Sequence, residues 1–75
     1  MYGTFVCEYN VFYVNNKKKR MDSITYSYKD SREMMYTKGK EEKCWETIEK
    51  ELHDIWGSRS VITITKKQII ETKEL

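Results

Sequence analysis

The chain opens on a period of two. Phe5, Cys7, Tyr9, Val11 and Tyr13 fall on one side of an extended backbone, and Thr4, Val6, Glu8, Asn10, Phe12 and Val14 on the other. Aromatic and β-branched residues at that spacing predict a β-strand. Asn15-Asn16 then opens a turn, since asparagine tolerates left-handed backbone angles. A second alternating run, from about Arg20 to Lys29, puts Ile24, Tyr26 and Tyr28 on one face and Ser23, Thr25 and Ser27 on the other. Together the two runs predict a β-hairpin over 4–29 with a basic tip.

The alternation is lost over 30–39, which reads as a connection. Within it Met34, Met35 and Tyr36 interrupt polar sequence, as a cover for one edge of the core or as an exposed contact. From 40 to 56 the apolar spacing changes to three and four. Cys44, Trp45, Ile48, Leu52, Ile55 and Trp56 form one stripe, and acidic residues fill the other side, which predicts an amphipathic helix. Gly57 is its natural stop, because glycine takes positive φ without steric cost. A third strand is expected over 60–65, with Ile62 and Ile64 on one face and Val61, Thr63 and Thr65 on the other. Lys66-Lys67-Gln68 then breaks the alternation, so a bulge or a turn is expected. In the tail, 66–75, Ile69-Ile70 extends the strand or forms a short fourth one.

The order β-β-α-β over residues 1–75 predicts one small α+β domain. Strands two and three are joined through the helix and should run parallel. Placing strand one between them gives a three-stranded antiparallel sheet of order 2-1-3. The helix is expected on the face carrying Phe5, Tyr9, Tyr13, Ile24, Tyr26, Ile62 and Ile64.

Size limits the picture. A chain of 75 residues hides only about 60% of its unfolded surface, so the core is marginal. Cys7 and Cys44 lie far apart and His53 is the single histidine, so no metal or cofactor is expected. No apolar run approaches the roughly 20 residues that span a bilayer, and no membrane contact is expected. Unpaired cysteines and no export signal after Met1 point to a reducing cytoplasm. Proline and alanine are both missing, while Lys, Ile, Tyr and Met are abundant. That AT-rich codon bias fits a phage or mobile-element accessory protein acting in the host cytoplasm.

Charge changes the reading most. Residues 1–40 carry +4, residues 41–57 carry −4 and residues 58–75 carry +2, together the net +2 of the chain. A near-neutral total thus conceals a basic hairpin end and an acidic helix face. Lys17, Lys18, Lys19 and Arg20 at the tip repel one another and gain nothing from folding. They are the leading candidates for contact with phosphates or an acidic surface, although lysines also serve simply to keep turns and edges soluble. Arg32, Lys38 and Lys40 join that patch only if the connection folds back toward the tip.

Catalytic chemistry has little in its favour. The sequence offers no Gly-rich phosphate loop, no carboxylate pair at a telling spacing and no Ser-His-Asp set. His53, four residues from Glu49, reads as a surface histidine. The second face of the sheet is more informative. Val6, Phe12, Val14, Met21 and Val61 would lie there uncovered, as an interface for a partner or for a homodimer. The sequence therefore predicts a non-enzymatic accessory protein that binds another protein, in the manner of a phage inhibitor of a host factor. The alternative is a nucleic-acid-binding module that uses the basic hairpin.

Overall fold

The computed structural model describes residues 1–72. It contains β1 (Tyr2–Asn15), β2 (Arg20–Lys29), β3 (Met34–Met35), α1 (Glu42–Trp56) and β4 (Val61–Thr72). The expected α+β architecture is present, but the sheet has four strands rather than three. β1 is central: β2 lies along one side of it and β4 along the other, both antiparallel. This is the 2-1-3 order read from the sequence, with β4 as the third long strand.

The extra strand comes from the segment expected to be a connection. β1 runs past the end of β2, whose last pair is Val6 with Lys29. Asp30 donates its backbone N–H to the Phe5 carbonyl at 2.9 Å, and the chain then bends. It rejoins β1 as β3, pairing Gly3 with Met34 and Tyr2 with Met35. Gly3 is required at this junction. A Cβ there would come within 2.6 Å of the Ile69 methyl and 3.1 Å of the Tyr36 ring.

β4 runs through Ile69-Ile70 as one strand, the first of the two expected alternatives. The break at Lys66-Lys67 is a bulge, with Lys66 at φ 48° and a register shift between Val6 and Glu8 of β1. One extra residue restores the alternation, so that Ile69 pairs with Phe5 and half-buries on the helix side.

The core is the layer between α1 and the near half of the sheet. Phe5, Cys7 and Tyr9 from β1 meet Trp45, Ile48 and Leu52 from α1, and Tyr36 closes the end. Phe5 makes edge contacts with Trp45 and Tyr36, at ring separations of 5.1 and 5.6 Å. Such pairs add about 1 kcal/mol each beyond their buried area. At the far end Trp56 tilts against Tyr26 at 4.7 Å, and its indole N–H donates to the Tyr9 hydroxyl at 3.0 Å.

Length decides what stays bare. A 14-residue strand spans roughly 45 Å, whereas a 15-residue helix spans roughly 22 Å. The hairpin therefore projects as an arm, and the molecule measures 55 × 21 × 19 Å. Two expected core residues lie on the correct face but beyond the helix, leaving Tyr13 42% and Ile24 47% exposed. Ile55, assigned to the buried stripe, is 66% exposed at the last turn.

Candidate binding surfaces

The arm ends in a turn organised by Asn15. Its side-chain oxygen accepts the backbone N–H groups of Lys17 and Lys18, at 3.1 and 3.2 Å. Lys19 completes the turn at φ 49°. The four tip cations are not equivalent. Arg20 donates through Nε to Asp22 at 2.9 Å, and Asn15 holds the other Asp22 oxygen at 2.7 Å. Lys17, Lys18 and Lys19 have no ion pair among the described residues. The sequence reading grouped all four and did not consider Asp22. It is in fact the cross-strand partner of Tyr13, two residues from Arg20.

The proposed extension of the basic patch does not form. Arg32 lies at the opposite end of β2 from the tip, where its guanidinium grips Asp30 through Nε at 3.0 Å and Nη2 at 2.9 Å. It also binds Glu51 of α1, which in turn accepts the Tyr28 hydroxyl at 2.8 Å. Asp30 is 3% exposed. Hydrogen bonds from the Arg32 guanidinium hold its carboxyl below the usual carboxylate range, against the opposing effect of burial. Burial and the bond to Glu51 push the Tyr28 phenol up. This cluster ties helix, hairpin and connection together, and it is a structural knot rather than a free basic surface.

The outer face, away from the helix, divides into two spots. Val14 pairs with Met21, and Phe12 pairs with Ser23 on one side and Val61 on the other. These four apolar residues adjoin at the arm. Val6 lies apart, paired with Lys29 and Gln68, beyond a polar band in which Thr25 donates to Asn10 at 2.6 Å. Ile70, opposite Thr4 and exposed, is a neighbour of Val6 that the broken alternation concealed.

Sequence reasoning missed a groove between α1 and β4. It has a volume of about 430 Å³, with Trp45, Ile62 and Ile64 as apolar lining and Glu42, Glu46 and Glu49 on the helix. Lys67 stands over the Trp45 ring at 5.5 Å. The carboxylates share one side of α1 through their spacings of four and three. The sequence showed their stripe but not that it faces β4.

A second cluster adds Ser60, which the sequence did not point to, to the Glu49–His53 pair. The Ser60 hydroxyl oxygen is 3.2 Å from His53 Nδ1, and His53 Nε2 is 4.0 Å from Glu49. The order is that of a catalytic triad, but its geometry is unlike one. The serine proton goes to the Gly57 carbonyl at 2.5 Å, and the carboxylate is beyond hydrogen-bond reach of the ring. The cluster fastens the end of α1 to the start of β4, alongside the backbone bonds from Gly57 to His53 and from Ser60 to Gly57.

Cys7 is buried and Cys44 half-buried, and both are free thiols; burial pushes the Cys7 thiol up, with Lys67 partly opposing. Among the described residues, no helix is long and apolar enough to cross a membrane. Nor do three His, Cys, Asp or Glu side chains gather as metal ligands there. Comparison with protein-family models, curated proteins and solved structures found no match, so the surfaces themselves carry the functional argument.

Proposed function

We propose that this protein is a non-enzymatic accessory protein that binds another protein through its projecting hairpin arm. The observation that carries this reading is the bareness of the arm on both faces. Tyr13 and Ile24 are exposed on the helix side, Val14, Met21 and Val61 on the other, and three unpaired lysines cap the end. A marginal domain gains nothing from holding such residues in water, and apolar patches with a charged rim are typical of interfaces. The codon-biased composition fits a phage-type inhibitor that acts on a host protein. Affinity capture from bacterial lysate, with wild type and Tyr13→Ser/Ile24→Ser compared, tests it. A specific partner lost with the arm variant supports the reading; identical recovery with both forms refutes it.

One observation favours the nucleic-acid alternative. Exposed Tyr13 stands two strand positions from the turn that carries Lys17, Lys18 and Lys19, a combination of stacking surface and cations suited to single strands. Anisotropy titration with a single-stranded oligonucleotide separates the two. Binding that falls steeply with salt and with Lys17→Gln/Lys18→Gln/Lys19→Gln selects this alternative.

A further inference from the structure

We propose that the groove between α1 and β4 accepts an extended peptide that carries lysine or arginine at alternate positions and pairs with the free edge of β4. This surface meets the arm only at Val61; Tyr13, Ile24 and the tip lysines take no part in it, so variants there test the arm's role apart from this proposal.

The first support is the edge itself. Among the described residues β4 pairs with β1 alone, so half of its backbone groups point outward and are open to a further strand. The regular stretch Val61–Thr65 precedes the bulge at Lys66, which limits how far a guest strand can run.

The second support is where the groove lies. Thr63 belongs to the outer face, since it pairs with Asn10, yet it lines a groove on the helix side. The groove therefore reaches the edge of the strand.

Charge defines the occupant. A strand added beside β4 directs alternate side chains toward α1. There an aliphatic stem would lie along Ile62 and Ile64, beside the Trp45 ring that Lys67 already covers, and its charged end would reach Glu42, Glu46 and Glu49, which outnumber Lys67 in the lining. Lysine and arginine have that construction, an apolar stem with a cationic head. The residues between them would face Val61 and Thr63 and be small and apolar. The protein's own lysine run does not fit, because it is a closed turn with Lys19 in the left-handed region.

The test uses a blocked heptapeptide alternating lysine with valine, titrated into ¹⁵N-labelled protein. Saturable shifts centred on Val61–Thr65 are expected, with slowed amide exchange there. The triple variant Glu42→Gln/Glu46→Gln/Glu49→Gln should weaken binding about tenfold, since each exposed pair contributes modestly. These side chains are exposed, so the variant should fold normally. N-methylation of alternate peptide amides should abolish binding, and Lys17→Gln/Lys18→Gln/Lys19→Gln should not alter it. No saturable binding by about 1 mM overturns the proposal. So does equal binding by the triple variant or by the N-methylated peptide. Dimerisation of the free protein that the triple variant abolishes would place a second copy in the groove and equally overturn it.

Discussion

The two halves of the hairpin are built alike and end differently. In both, aromatic and aliphatic residues occupy every second position of β1 on the helix side. In the near half Phe5, Cys7 and Tyr9 are buried under Trp45, Ile48 and Leu52. In the far half Val11 is only partly covered and Tyr13 is exposed, although the alternation is unbroken. What separates them is the reach of α1. The lesson is that period fixes the face of a strand, while burial depends on what lies opposite.

The comparison is broken most severely by removing core volume. Leu52→Ala, at a fully buried position, should cost about 2–5 kcal/mol in urea unfolding. Ile24→Ala, equally apolar but on the arm, should cost well under about 1 kcal/mol. Equal losses would mean that the arm is packed in solution and the two halves are not distinct.

Gly3→Ala should come next, at about 1–3 kcal/mol, because the added methyl meets Ile69 and Tyr36 in a closed space. An unchanged thermal midpoint would show that the β3–β1–β4 junction is looser than described.

Acid should act on the near half first. Asp30 has its pKa lowered in the folded state, so its contribution is present above the unfolded carboxylate pKa. That contribution is lost as pH falls through the lower folded value. Asp30→Asn should therefore destabilise at about pH 7, and the gap from wild type should narrow as pH falls below the usual carboxylate range. A gap independent of pH would assign the effect to packing rather than charge.

At the arm, Phe12→Glu should disperse any self-association through the outer spot of Phe12, Val14, Met21 and Val61, read by sedimentation equilibrium. A wild type that is monomeric at high concentration removes a homodimer at this face. The smallest effect belongs to the tip. Lys17→Gln/Lys18→Gln/Lys19→Gln should move stability by less than about 0.5 kcal/mol, measured by thermal melting. Arg20→Gln should differ from these by freeing Asp22.

Much of the fold was legible because each long element has one clear period. Both faces of β1, the order of the long strands and the end of the helix followed from alternation, stripe and Gly57, while the helix begins at Glu42, two residues later than read. Three features were hidden or left open for physical reasons. β3 rests on a backbone bond from Asp30 to Phe5, and two methionines carry no period of their own. The continuation of β4 stood only as one of two alternatives, because one bulged lysine reverses the apparent phase of everything after it. The groove was unreadable because it depends on which side of α1 faces β4. Of the candidate site residues, Lys17, Lys18 and Lys19 lie together and unpaired, Arg20 is paired, and Val6 stands apart from Phe12, Val14, Met21 and Val61.

The central position of β1 sets the order in which this fold is completed during synthesis. Its second neighbour, β4, follows β2 and α1 in the chain, so one edge of β1 waits for a partner from far downstream. A nascent chain that has emerged only through α1 can close the hairpin, but it leaves Phe5 without its strand partner Ile69. Contacts of such long sequence separation slow folding and prolong the life of unpaired edges. The lysines that flank this topology, at the tip and at the bulge, would then protect the growing chain before they serve the finished one.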